Sequence, residues 1–196
     1  MQSFATKSLL VDTTRITLRR INHAEFEQLC KDNPDLRLEL TATGELVTMA
    51  LAGYESSKKN GDLYYQVATW SRSNQVGDVF DSSGGFTFPD GAVRSPDVTW
   101  IEKSKLENIP PDTAFPLVVP DFVIELRSKT DRLNTLQVKM LEYQTNGVRL
   151  GWLIDPQNQQ VEIYRLGRVV EVLALPTTLN GEDVLSGFIL SLTSIW

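Results

Sequence analysis

The spacing of apolar positions separates strands from helices along the chain. Over 36–40 leucine alternates with charged residues, a period of two that predicts a strand with one buried face. Over 56–73 the period lengthens, since Leu63, Val67 and Trp70 follow one another at intervals of four and three. Such spacing is typical of an amphipathic helix. The change of period therefore predicts an early strand followed by a long helix.

Two further helices and a series of short strands are predicted from capping and turn residues. Asn22, with Glu25 three residues later, forms a capping-box pattern at the start of a helix over 22–32. An Asn-Gly pair ends a helix over 131–146, and 102–117 is predicted to be a polar loop with a brief helical piece. Further strands are predicted at 45–49, 78–81, 85–88, 97–101, 122–126, 151–155, 161–165, 169–173 and 188–190.

The order of these elements predicts an α/β fold. Strands separated by helices indicate a mixed β-sheet flanked by helices, with an N-terminal hairpin through Thr43-Gly44 and a C-terminal β-meander. The sequence contains no internal repeat, low-complexity tract or linker. Its 196 residues suffice for one sizeable core and are short for two. A single domain over 1–196 is therefore expected.

Composition and charge narrow the classes of function. The net charge of −6 argues against sequence-blind DNA binding, which relies on many lysines and arginines. A cluster of carboxylates that binds a cation, however, also makes the metal-free protein more acidic. Cys30 and His23 are the only cysteine and histidine, which excludes a structural zinc cluster and leaves hard cations held by oxygen atoms.

Membrane association is not predicted from the sequence. No stretch approaches the roughly 20 apolar residues that a bilayer-spanning helix needs. Residues 1–7 also lack the apolar run of a secretory signal, so a cytoplasmic location is expected.

Glu125 is the most informative candidate for chemistry, because it interrupts the apolar strand at 122–126. A carboxylate in a central strand is unfavourable unless it is paired or bound to a cation. Alternation places Glu125 and Arg127 on the same face, so an internal ion pair between them is one explanation. A bound divalent cation is the other.

Asp97 favours the cation. It follows Pro96 and begins the strand at 97–101 rather than closing a loop. If this strand lies beside that of Glu125, the two carboxylates can approach one divalent cation. Without a cation between them, two carboxylates at that distance repel each other strongly.

Lys139 is the candidate cationic side chain. It lies at the margin of the apolar stripe of the 131–146 helix, one turn before Tyr143, from where it can lean towards Glu125. A solvated lysine is the alternative. Carboxylates that hold Mg²⁺ or Mn²⁺ suit phosphodiester hydrolysis, because the metal lowers the pKa of a bound water and a lysine stabilises charge on the phosphate oxygens. The stripe consists of Leu133, Leu136, Met140 and Tyr143.

A series of motifs links these residues to a known family. The segments are Arg94–Trp100, Pro120–Glu125, Lys139 with Tyr143, Gly147-Val148 and Gly151–Pro156. Together they resemble the Uma-two family of putative endonucleases, assigned to the PD-(D/E)XK superfamily, from about residue 25 to the C-terminus. The resemblance implies a restriction-endonuclease-like fold, with Asp97 as the Asp of the PD motif and Glu125 as the acidic residue of the second motif. Glu39 matches an early acidic strand residue of the family, which implies a further metal ligand.

The chain departs from the superfamily pattern at Arg127. The superfamily places a lysine two residues after the second acidic residue, and this chain has Arg127 there. Arginine positions planar anions but does not exchange a proton near neutral pH, so Arg127 is predicted to orient phosphate. Lys139, which matches the family's helix lysine and has Tyr143 beside it, is predicted to take the catalytic role.

Three functions agree with these residues. The first is a divalent-metal-dependent nuclease, with Asp97, Glu125 and Glu39 as ligands of Mg²⁺ or Mn²⁺ and Lys139 as the catalytic cation. The second is a catalytically silent domain that serves as a binding or assembly module, favoured by the acidic balance and Arg127. The third is a metal-dependent hydrolase of a smaller phosphoester. The first implies nucleic acid, DNA in particular, as partner, and a homodimer, because nucleases that cut duplex DNA often work as symmetric dimers.

Overall fold

The structure, a computed structural model, describes residues 20–196. The prediction that residues 1–7 contain no secretory signal lies outside the described residues. The helices are α1 (His23–Asp32), α2 (Tyr54–Asn74), α3 (Lys103–Leu106) and α4 (Leu133–Thr145). The strands are β1 (Leu38–Leu40), β2 (Leu46–Thr48), β3 (Gly77–Asp81), β4 (Phe86–Thr87), β5 (Val93–Arg94), β6 (Val98–Glu102), β7 (Phe122–Leu126), β8 (Leu150–Asp155), β9 (Gln160–Arg165), β10 (Glu171–Ala174), β11 (Thr178–Asn180) and β12 (Ile189–Ser191).

A six-stranded mixed sheet forms the centre of the fold, in the order β10-β9-β8-β7-β6-β3. β7 and β8 run parallel and are connected through α4, whereas the other neighbouring pairs are antiparallel. α4 covers one face, and α2 with the C-terminal segment covers the other. This arrangement confirms the predicted α/β fold with a mixed sheet flanked by helices.

The central strands are apolar because both of their faces are covered. All five residues of β7 are buried, and the alternation of the strand divides them between two cores. Phe122 and Ile124 pack with Trp152 and with Leu63 and Val67 of α2. The other face carries Val123, Leu153, Met140 and Tyr143. The alternation places the Glu125 side chain on this second face, below α4.

A second, four-stranded sheet has the order β2-β1-β5-β4. Its β1 and β2 form the predicted N-terminal hairpin, with Gly44 in the turn at a φ of 80°. β5 was not predicted, because two residues are too few to show a period. The pairing of Leu40 with Val93 places Glu39 opposite Arg94 on the neighbouring strand.

The C-terminal region contains the predicted meander and one further short strand. β9 and β10 pair as predicted, but they continue the central sheet. The strand predicted at 188–190 is β12, and it pairs with β11, a short strand that alternation did not reveal, in a separate two-stranded sheet. Apolar side chains of this small sheet and of the residues around it pack in the core beneath α2.

The helix ends agree closely with their capping signals. Asn22 and Glu25 make the reciprocal hydrogen bonds of a capping box at the start of α1. α4 begins at Leu133 rather than at residue 131, and it ends before Asn146 and Gly147, where Gly147 has a φ of 103°. Within residues 20–196, no helix is both long and apolar enough to cross a membrane.

Candidate functional site

Asp97 and Glu125 face each other across two neighbouring strands. β6 and β7 are antiparallel with Val98 opposite Ile124, so Asp97, which directly precedes β6, lies opposite Glu125. Opposite residues of an antiparallel pair project to the same face of the sheet. The Leu126 amide donates a hydrogen bond of 2.8 Å to Asp97 Oδ2. Strand register and this hydrogen bond therefore hold both carboxylates at one end of the sheet.

Glu125 is buried, with 5% of its surface exposed. The Tyr143 hydroxyl donates to its Oε1 at 2.7 Å, and Lys139 Nζ lies 2.9 Å from the same oxygen. Burial raises the pKa of Glu125 to about 7, with Asp97 and Glu39 adding to the rise and Lys139 opposing it. Within residues 20–196 both of these contacts are made at Oε1, and no hydrogen bond to Oε2 accompanies them.

Lys139 bridges two carboxylates. Its Nζ donates to Glu39 Oε1 at 2.9 Å as well as approaching Glu125, and only 14% of the side chain is exposed. Burial lowers the pKa of Lys139, but Glu125 and Glu39 together raise it by more than burial lowers it. The net pKa therefore lies above the usual value. Lys139 is therefore a charged ammonium inside the fold, not the solvated lysine of the alternative.

Glu39 is held by partners on both of its oxygens. The Ser95 amide and Lys139 donate to Oε1, and Arg94 donates to Oε2 at 3.1 Å. Burial raises the pKa of Glu39, but the two cations lower it more, so the carboxylate is ionised. Arg94 also forks onto Glu142 at 2.6 and 2.7 Å. These contacts make Glu39 the anchor of Lys139, and its role as a metal ligand stays a prediction.

Asp97 is contacted from α2 as well as from β7. Asn60 Nδ2 donates to Asp97 Oδ1 at 3.3 Å, while Asn60 Oδ1 is buried without a hydrogen-bond partner among residues 20–196. Burial raises the pKa of Asp97, against the opposing effects of the Leu126 amide and Lys139. An unpaired buried oxygen beside a carboxylate is costly, and a cation or an ordered water would satisfy it.

Arg127 does not pair with Glu125. Its Nη1 donates to Asp155 Oδ2 at 2.8 Å, and its Nε donates to the Asp131 carbonyl at 3.2 Å. The internal ion pair that strand alternation allowed is therefore wrong, because Arg127 lies just beyond the end of β7 and turns to the β8 terminus. The predicted role of Arg127 in orienting phosphate stays a prediction.

Asn60 and Arg94 were not identified as site residues from the sequence. Arg94 belongs to a motif segment, but its contact with Glu39 depends on the unpredicted strand β5. Asn60 is a polar residue in a helix of mixed composition, and no local pattern distinguishes it. Only the packing of α2 against the sheet reveals its position.

The donor atoms at this end of the sheet suit a hard cation. No group of three His, Cys, Asp or Glu side chains arranged to hold a metal ion occurs within residues 20–196. Mg²⁺, however, is commonly held by one or two carboxylates, with waters and substrate phosphates completing its shell. Asp97 and Glu125 supply two carboxylates, and the unpaired Asn60 oxygen supplies a third hard donor nearby. The residues therefore fit Mg²⁺ or Mn²⁺.

Comparisons with known proteins agree with this fold. The family described as "Uma2: Putative restriction endonuclease" matches residues 23–193. No curated protein matches the chain. Among solved structures, the chain is similar to a putative nuclease belonging to DUF820 from Anabaena variabilis ATCC 29413, with 22% identity and a TM-score of 0.76 over 89% of this chain and 97% of that one. This similarity establishes a shared fold.

Proposed function

The chain belongs to the Uma2 family of putative restriction endonucleases, and we propose that it is a divalent-metal-dependent nuclease that hydrolyses phosphodiester bonds. The observation that carries the proposal is the group formed by the buried Glu125 and the partly buried Asp97 and Lys139 at one end of the sheet. One ammonium shared among carboxylates leaves this region short of positive charge, and a cation would supply it.

Asp97 and Glu125 are the proposed ligands of Mg²⁺ or Mn²⁺, with Asn60 adding an amide oxygen. A divalent cation bound there supplies Lewis acidity and lowers the pKa of a coordinated water. In the hydrolysis, water adds to phosphorus, one P–O ester bond breaks, and the departing oxygen takes up a proton. The products are a phosphate monoester and a hydroxyl group.

Lys139 is the proposed catalytic cation. Its ammonium carries three N–H donors, and the contacts with Glu39 and Glu125 use two of them. The third can stabilise the charge that develops on the phosphate oxygens. Glu39, fixed by Arg94 and the Ser95 amide, positions the ammonium. Tyr143 holds the Glu125 carboxylate.

The second candidate function is a catalytically silent module on the same fold. It is favoured by Arg127, which stands where the superfamily has its lysine and is engaged by Asp155. In that case Lys139, Glu39 and Glu125 form a structural ion-pair network, and metal affinity is weak. Metal binding and cleavage therefore separate the two candidates.

The test combines a manganese titration with plasmid cleavage. We expect the parent to bind Mn²⁺, measured by electron paramagnetic resonance of the free ion, and to nick supercoiled DNA with Mn²⁺ or Mg²⁺ but not with EDTA. Glu125→Gln should lose both properties. A parent that binds Mn²⁺ but cuts neither DNA nor RNA, and hydrolyses small phosphodiesters, would support a phosphoesterase. A parent that neither binds metal nor cuts would support the silent module.

DNA as the preferred substrate and a homodimeric assembly are further parts of the proposal. Cutting both strands of a duplex requires two sites, and a symmetric dimer supplies them. Light scattering coupled to size exclusion measures the assembly, and parallel assays on DNA and RNA measure the preference.

A further inference from the structure

A small cavity of about 140 Å³ lies beside the candidate site. Its wall is formed by the first turns of α2, by the chain that follows β7 and by the chain that follows β8. Leu126 forms part of the lining, and its amide is the group that holds Asp97 Oδ2. The lining of the cavity therefore includes the residue that follows Glu125 in β7.

Basic side chains from two separate elements line this cavity. Lys59 comes from α2, and Arg127 and Lys129 come from the segment between β7 and α4. Within residues 20–196 neither Lys59 nor Lys129 makes a salt bridge, in contrast to Lys139 and Lys105. Two lysines that form no salt bridge within the described residues thus line the cavity.

The charges around the cavity leave it positive in a protein whose net charge is −6. Arg127 is neutralised by Asp155. The remaining charged groups of the lining are Lys59, Lys129 and Glu55, so positive charge exceeds negative by one. Ser56 adds a hydroxyl to the same wall. Basic and hydroxyl donors in a small concave space suit a phosphate group.

We infer that this cavity binds a backbone phosphate of the nucleic-acid strand next to the bond that is cut, through Lys59 and Lys129. The inference rests on the proposed nuclease function, because a phosphate held at Asp97 and Glu125 places its neighbour along the strand near Leu126. The cavity explains how an acidic protein engages a polyanion, because positive charge is concentrated in the cavity lining, beside the carboxylates of the proposed metal site.

DNA binding without cleavage tests the inference. A fluorescently labelled DNA duplex is titrated with the parent and variants in EDTA, and anisotropy gives the Kd at several salt concentrations. We expect Lys59→Gln/Lys129→Gln to weaken binding about tenfold at about 100 mM salt and to reduce the slope of log K against log salt by about 1, because one phosphate contact is lost. Glu55→Gln should tighten binding.

The matched control is Lys31→Gln/Lys103→Gln, which makes the same change of net charge at two exposed lysines outside the cavity. We expect it to change the Kd less than twofold. Equal losses in the two double variants would overturn the inference, as would a parent that does not bind the duplex at low salt.

The outcome also separates the inference from the proposed nuclease activity. Binding that depends on Lys59 and Lys129 without any cleavage in divalent metal would uphold the cavity as a phosphate site and refute the nuclease. Cleavage by the parent, together with a DNA affinity that the double variant leaves unchanged, would support the nuclease and refute the cavity as a phosphate site.

Discussion

A buried carboxylate lies at each end of strand β7, Asp121 just before its first residue and Glu125 next to its last, and the two are satisfied in different ways. At the start, Asp121 is 1% exposed and receives hydrogen bonds from Lys105 at 2.8 Å and from the Glu102 amide at 2.9 Å, with Arg149 3.5 Å away. At the other end, Glu125 shares one ammonium with Glu39 and lies beside Asp97.

The difference separates a structural carboxylate from a candidate functional one. Asp121 pairs with Lys105 and lies near Arg149, and its contacts with the Glu102 amide and Arg149 connect β6, β7 and the start of β8, so it stabilises the sheet. Glu125 has only a share of the Lys139 ammonium, and burial raises its pKa to about 7. Such a shortage of positive charge is typical of a site where a bound ligand compensates for it. A cluster of carboxylates with perturbed pKa values therefore indicates a functional site.

The largest expected effect is on cleavage. Asp97→Asn should lower the rate of metal-dependent cleavage about 10³-fold, since the loss of a metal ligand removes several kcal/mol of transition-state stabilisation. Asp121→Asn is the matched control at the other end of the sheet and should cleave within about threefold of the parent while it is folded, as checked by circular dichroism. Equal losses in the two variants would abolish the distinction.

The next effect distinguishes the two cations near Glu125. Lys139→Ala should lower kcat about 10²- to 10³-fold, while Mn²⁺ affinity stays the same or rises because a nearby positive charge is lost. Arg127→Ala should raise KM more than it lowers kcat. The reverse pattern in steady-state kinetics would assign the catalytic role to Arg127, and parental cleavage by Lys139→Ala would end the present assignment.

A smaller effect concerns the free energy of unfolding. Asp121→Asn should lower it by about 2 kcal/mol, because charged hydrogen bonds to Lys105 and the Glu102 amide are weakened. Glu125→Gln should leave it unchanged or raise it in metal-free buffer, because the amide keeps the shape and removes a buried charge. Urea unfolding at pH 8 measures both, and a strong loss in Glu125→Gln would indicate a structural ion pair.

The last effect is the part of the pH dependence of stability that Glu125 should cause. Its folded pKa of about 7 exceeds the unfolded value, so the folded state binds the proton more tightly and this contribution to stability is full below about pH 4.5. It should be lost as the pH rises from about 4.5 to about 7, at a cost of about 1–3 kcal/mol. The parent minus Glu125→Gln difference in metal-free unfolding isolates this contribution, and a flat difference would contradict the raised pKa.

Local sequence patterns determined the elements of this protein and its most conspicuous charges. The apolar run of β7, the helical spacing of α2 and the capping box of α1 each depend on neighbours in the chain, and they were predicted closely. Glu125 was identifiable because a charged carboxylate is unfavourable within an otherwise apolar strand. Very short strands such as β5 and β11 were missed, because two or three residues show no period.

Tertiary structure decided which charged groups meet. Asp97 lies opposite Glu125 because β6 and β7 pair in one register, and Lys139 reaches Glu39 because the second sheet packs near α4. Arg127 turned to Asp155 rather than Glu125, and Asn60 came to Asp97 from α2. A side chain's partners depend on groups distant in the sequence, and the cost of burying each charge depends on the solvent that those groups exclude. Neither the partners nor the cost of burial can be predicted from a local sequence pattern.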